Sequence, residues 1–197
     1  MDSTGRDFRL TAIVVASVVI IASLIVRAVG DNSVMLNGYS AVLYSAGICL
    51  GIQWLAWIPA SLAKTERYYD LTGGLTYLTV VIFTLWAGSQ SESPSVRELI
   101  ASSLVVIWAL RLSSFLYLRI RRAGKDGRFD QLKTSPIRFL VPWTIQGLWV
   151  FLTMIVVIVI NSQAASAPGL GIWDVIGLLL WLLGFSIEVI ADNQKTA

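Results

Sequence analysis

The fold class this sequence predicts is an all-α, polytopic integral membrane bundle of about six transmembrane helices, and three observations predict it. Hydrophobic residues make up 56% of the 197-residue chain and charged residues 14%, with a positive mean hydropathy, which is too apolar for a water-soluble domain. The apolar residues fall into six runs, most of them long enough to cross ~30 Å of hydrocarbon as a helix. The cations gather at the ends of those runs, so they report topology rather than a nucleic-acid surface.

Taken in order, the first run is 10–29, after a short polar start. Its length exceeds the 7–15 residues usual in a signal peptide, and no convincing small-residue cleavage site accompanies it. The second run, 39–63, carries Gln53, Trp54 and Trp57 and has Pro59 near its end, where a kink is expected. The polar segment KTERYYDLTGG leads into the third run, 75–88, short at its strict core and extendable backwards through Thr72. Pro94 and Ser95 read as a helix start for the fourth run, 96–118. The fifth is 139–160, with Trp143, Gln146 and Trp149 in its first half, and the sixth is 170–191. Together the six runs make a single membrane domain over 1–197.

Counting Lys and Arg by side places twelve on the side of the N-terminus and two, Arg27 and Arg97, on the other, with Arg111 inside the fourth run. The positive-inside rule then puts both termini and the loop 119–138 in the cytoplasm. Arg111 is the chain's central anomaly. An arginine at membrane depth costs ~2.5 kcal/mol or more on insertion scales, so it is expected to face a partner, a ligand or a water-filled cavity. The bland reading is that it snorkels towards Arg119, about 12 Å along the helix, or makes a structural ion pair.

The chain has no histidine and one cysteine, Cys49. Triad hydrolases, histidine-ligated haem or zinc, and a disulfide are thereby disfavoured, and no metal is expected. Proton chemistry is left to Tyr, Asp, Glu, Lys or a cofactor. On the sixth helix Gly177, Trp181, Gly184, Glu188, Asp192 and Lys195 share one face. Two carboxylates at i and i+4 repel unless a cation meets them, and the expected cations come from helix four or its loop. Gly177 and Gly184 fit plain helix packing as well as ligand contact. Glu188 and Asp192 fit a solvated helix end as well as a site, and Glu66, Tyr68, Tyr69 and Asp70 fit loop charges and interfacial aromatics as well as a site. All of these groups converge on the same side as the basic loop.

The segments ERYYDLTGGLTYL, WALRLSSFLYLRIRRAGKDGRFD, the Gln146 and Trp149 helix, and GFSIEVIADNQK together resemble the DUF1295 family of membrane proteins, related to the steroid 5-alpha-reductase C-terminal domain. The resemblance implies a polytopic reductase that takes hydride from NADPH on the cytosolic side and delivers it to a carbon–carbon double bond conjugated to a carbonyl in a lipid-like small molecule. It implies Arg111, Arg119 and Arg128 as phosphate or ribose contacts, and Asp126, Glu188 and Asp192 as residues that orient the cofactor or those arginines. Tyr68 or Glu66 would donate to the substrate carbonyl. Family members of this kind continue past QK with a Phe-Arg region and an Arg-His-Pro-Asn-Tyr segment, so the resemblance implies a C-terminally shortened member or a fragment. The competing expectation is a non-catalytic paralogue that binds lipid or a partner, or a small transporter. Transport is disfavoured because the polar groups converge on one side only.

Overall fold

The computed structural model describes residues 3–124, 126–163 and 169–194. Lys125, Lys195 and the middle of the small-residue loop before helix six, 164–168, lie outside them. Six helices are each long and apolar enough to cross a membrane: α1 (Ser3–Val29), α2 (Ala41–Leu62), α3 (Tyr69–Ser89), α4 (Val96–Ala123), α5 (Pro136–Asn161) and α6 (Ile172–Gln194). They run alternately up and down. The starts of α1, α3 and α5 share one end with the basic loops, called here the basic end, and the segments 30–40, 90–95, 162–163 and 169–171 lie at the far end.

Short polar signals set the helix boundaries. Ser40 accepts from the amide of Leu43 to start α2, and Ser95 and Glu98 close a reciprocal capping box on α4. Ser135 caps α5 with Pro136 in its first turn, where a missing amide costs nothing. Gly124, at φ +80, ends α4 in a conformation that other residues rarely adopt. At 28 residues α4 is ~42 Å long, so its last turns stand beyond the apolar layer. A two-residue hairpin, β1 (Met35–Leu36) and β2 (Tyr39–Ser40), joins α1 to α2 through Asn37 and Gly38, both at positive φ.

α5 is the central helix, packed on α1, α2 and α3. Its Phe139, Trp143, Val150, Phe151, Met154 and Ile158 are all buried, as are Val42 and Cys49 of α2 and Val80 of α3 facing them. Deep polar groups are joined across helices. Gln53 donates to Thr76 (2.9 Å), and Asn161 donates to Thr84 (3.0 Å) and Ser102 (2.9 Å). α6 is the exception, since Asp192 is its one buried side chain among the described residues.

α3 begins at Tyr69, well before the apolar core that starts at Leu75, because its first turns face inward rather than towards lipid. The Tyr69 hydroxyl donates to the carbonyl of Pro142 (2.9 Å), and its ring meets Phe129 and Trp143 at 4.9 and 5.1 Å. Small residues then admit the neighbours. A Cβ at Gly73 would stand 2.5 Å from Nε2 of Gln146, and one at Gly74 would run into the Ser113 side chain.

At the far end a Cβ at Gly88 would strike the backbone oxygen of Asn161, which cannot swing aside. Gly88→Ala is therefore expected to force α3 and α5 apart and destabilise the bundle by ~1–3 kcal/mol. Gly47→Ala, where a Cβ meets nothing within 4 Å, should be neutral or slightly stabilising. Thermal unfolding of the two variants in detergent micelles, beside the parent, checks the contrast.

Candidate functional site

The basic half of the bundle encloses a cavity of about 390 Å³ between α3, α4 and α5. Aromatic and aliphatic side chains make most of its wall, among them Tyr69, Tyr77, Trp108, Leu112 and Trp149, with Asp70, Ser113 and Gln146 as its polar members. Gly73 and Gly74 leave the space into which Gln146 and Ser113 project.

The polar members are not equivalent. Ser113 donates to the carbonyl of Ala109 one turn earlier, and Tyr77 bonds Thr153 (2.7 Å). Thr153 already donates to Trp149 (2.8 Å), so the Tyr77 hydroxyl is the donor of that pair. By contrast, Oδ2 of Asp70 and Oε1 of Gln146 are buried without a hydrogen-bond partner. Buried acceptors left unmade cost ~1–3 kcal/mol each; Gln53 and Asn161 carry such an oxygen in the packed core, whereas Asp70 and Gln146 carry theirs at the cavity wall.

A plug of loop closes the basic end of this region. Phe129, in the short 3-10 turn Gly127–Phe129, is buried between Tyr69 and Phe139, at ring distances of 4.9 and 6.1 Å. Glu66, only 4% exposed, holds the plug down: it accepts from the Asp126 amide (2.9 Å) and from Nζ of Lys133 (2.9 Å), which also meets Asp130 (3.0 Å). Burial pushes the Glu66 carboxyl up, but the amide and ammonium donors outweigh it and hold it below the ordinary value of 4.5. Asp126 grips Arg128 through both carboxylate oxygens. The hydrogen bonds from Arg128 outweigh burial and lower the Asp126 carboxyl, with Arg119 adding a weaker pull.

The sign of the pH dependence follows. A carboxyl whose folded value is depressed stabilises fully above its ordinary value and loses that contribution as pH falls through the folded one. Amides of the plug are therefore expected to keep their hydrogen-exchange protection through the ordinary carboxylate range and to lose it only as pH falls below that range. Glu66→Gln should remove that step and leave the plug less protected at neutral pH.

Arg111 lies behind the cavity wall. Its Nη1 meets Oε1 of Glu188 (2.7 Å) and Oδ2 of Asp192 (2.8 Å), and its guanidinium sits over the Phe115 ring, 5.4 Å from the centroid. The second carboxylate oxygen of Glu188 accepts from the indole of Trp108 (2.8 Å), whose ring packs edge-on against Tyr77 (4.9 Å). α6 thus supplies the partner that Arg111 was expected to face, and the seam between α4 and α6 is joined to the cavity through Trp108. Glu188 and Asp192 thus share one arginine.

The other sequence candidates fall elsewhere. Glu66 is part of the plug latch, and Tyr68 is half-exposed, its ring 6.3 Å from that of Tyr117; neither lines the cavity. Arg119 and Arg128 lie within electrostatic reach of Asp70 and Asp126 near the plug. Gln146 as a wall residue was missed, although an amide inside an apolar helix and a Gly-Gly pair opening another were both visible signals. Among the described residues no group of three His, Cys, Asp or Glu is placed to hold a metal.

The model of the family described as "Protein of unknown function (DUF1295)" matches residues 56–197. The chain belongs to the DUF1295 family. No curated protein and no solved structure matches it. The matched region of this DUF1295 protein takes in the cavity, the plug and the α4–α6 seam, while α1, the start of α2 and their hairpin precede it.

Proposed function

We propose that this protein is a reductase of a lipid-like conjugated enone, using NADPH, and that the cavity between α3, α4 and α5 receives the substrate. The observation that carries the reading is the pair of buried polar side chains, Asp70 and Gln146, each with an oxygen that has no hydrogen-bond partner, set in a largely apolar and aromatic wall. Such a wall suits a lipid with one polar end, and convergent polar groups suit that end. The chemistry comes from the resemblance to the steroid 5-alpha-reductase relatives.

NADPH would supply the hydride. Its phosphates need cations, and Arg119 and Arg128 offer them beside the plug, with Asp126 orienting Arg128. As the enone is reduced, negative charge gathers on its carbonyl oxygen, and an N–H of the Gln146 amide is the donor proposed to meet it. Asp70 accepts from, or when protonated donates to, the same polar end. These two take the donor role first assigned to Glu66 or Tyr68. Glu66 then acts as a positioning residue, holding the plug on Tyr69. Arg111, Glu188 and Asp192 likewise act as positioning residues, fixing Trp108 and α6 rather than gripping phosphate. The basic end, with both termini, faces the cytosol in this reading, where NADPH is available.

The test is reconstitution of the full chain in phosphatidylcholine vesicles with a 3-keto-Δ4 steroid as enone probe and NADPH outside. Appearance of the saturated ketone in step with NADPH consumption is expected. Enone binding without turnover would overturn the enzymatic reading and leave a lipid-binding protein.

A further inference from the structure

A second cavity, of about 490 Å³, lies in the opposite half of the bundle between α4, α5 and α6, and the proposed reaction makes no use of it. Its walls are apolar, drawn from residues such as Leu104, Val105, Val157, Ile160, Leu178 and Trp181. Charge appears only at the far end, where Arg97 meets both carboxylate oxygens of Asp174 (2.7 and 2.9 Å) and donates to the carbonyl of Gly169 (3.0 Å). We propose that this cavity holds one acyl chain of a membrane phospholipid whose headgroup lies against the Arg97–Asp174 pair.

Three features select this occupant. α6 is pinned to α4 near both of its ends, by Arg97–Asp174 and by Arg111–Glu188–Asp192, so it cannot settle inwards to close the gap. A void with such walls stays free of water, and its lining forgoes dispersion contacts unless something apolar enters. The shape then favours an extended chain. The α6 lining runs from Gly171 to Trp181, about 15 Å at 1.5 Å per residue, so the space is an elongated apolar slot along the membrane-spanning direction of the helix. Lipid tails are as apolar as leucine, and a paired cation and anion at the membrane surface complement a zwitterionic headgroup. A Cβ built at Gly177, on the cavity wall, meets nothing within 4 Å, so the space reaches the α6 backbone.

The full chain, purified in detergent micelles, is mixed with a trace of phosphatidylcholine bearing a photoreactive diazirine on one acyl chain. After illumination, labelled residues are mapped by mass spectrometry. Labelling at Leu104, Val157 and Leu178 is expected to exceed that at the outward-facing Leu179 and Leu183. Gly177→Phe, whose ring would fill the cavity, is expected to lower labelling of the cavity residues about tenfold and leave the outward residues unchanged. Ala101→Leu, from the opposite wall, serves if Gly177→Phe does not fold. Even labelling of cavity and outward residues, cavity labelling indifferent to both variants, or chain-to-chain cross-links across the cavity would overturn the proposal. Enone reduction in the same variants reports separately on the first cavity.

Discussion

Gln146→Leu is expected to lower kcat/KM for enone reduction by about 100- to 1000-fold while leaving the bundle as stable as the parent or slightly more so. The two halves of this expectation have the same cause. Oε1 of Gln146 is buried with no partner, so the amide contributes little to the fold and carries a desolvation cost that an apolar side chain of similar size does not. In the proposed reaction that amide meets the carbonyl oxygen as charge develops, and losing one such preorganised donor costs about two to three orders of magnitude in rate. A residue that merely packed would show the reverse pattern, with stability falling and residual activity preserved. Steady-state kinetics in vesicles and thermal unfolding in micelles separate the cases. Tyr68→Phe is the control: its half-exposed ring lies outside the cavity, so parental kinetics are expected. If Tyr68→Phe were inactive and Gln146→Leu unaffected, the donor would return to the residue first read from the sequence.

How far the molecule could be read from its chain depended on whether a signal was local or needed two helices at once. Apolar runs are local, and they located all six helices because membrane length and composition are properties of one segment. The start of α3 lies before the apolar core, and Tyr69 and Asp70 look like loop residues until one sees that they line the cavity with α4 and α5. Gly73 and Gly74 are visible in the sequence as a pair, but their meaning lies in Gln146 and Ser113, which arrive from two other helices. The cavity is therefore a product of three elements, and no single stretch announces it. Arg97 shows the same limit, since as a sequence feature it was one cation at the start of the fourth run, whereas in the fold it clamps Asp174 of α6.

Arg111 was legible for a physical reason, and its expected substitution effects follow from that reason. A guanidinium inside an apolar run demands a counter-charge, and carboxylates four residues apart on one helix face demand a cation. The structure joins the two demands, with side-chain exposures of 21% for Arg111, 33% for Glu188 and 11% for Asp192. Arg111→Leu strands two carboxylates at the membrane, and breaking a buried pair from one side costs ~3–5 kcal/mol, so α6 is expected to detach from α4 at the basic end. Removing all three charges together, by Arg111→Leu with Glu188→Leu and Asp192→Leu, should restore most of that loss, because an apolar seam of similar volume is no worse than an ion pair there. Hydrogen exchange of α6 amides reads the detachment, and NADPH binding to the triple variant reads the cofactor question. If Arg111 only positions α6 and Trp108, the triple variant should bind NADPH within a few-fold of the parent. Loss of nucleotide binding in a triple variant whose α6 stays docked would instead place the Arg111 guanidinium on a phosphate, the role that the family resemblance implied for it.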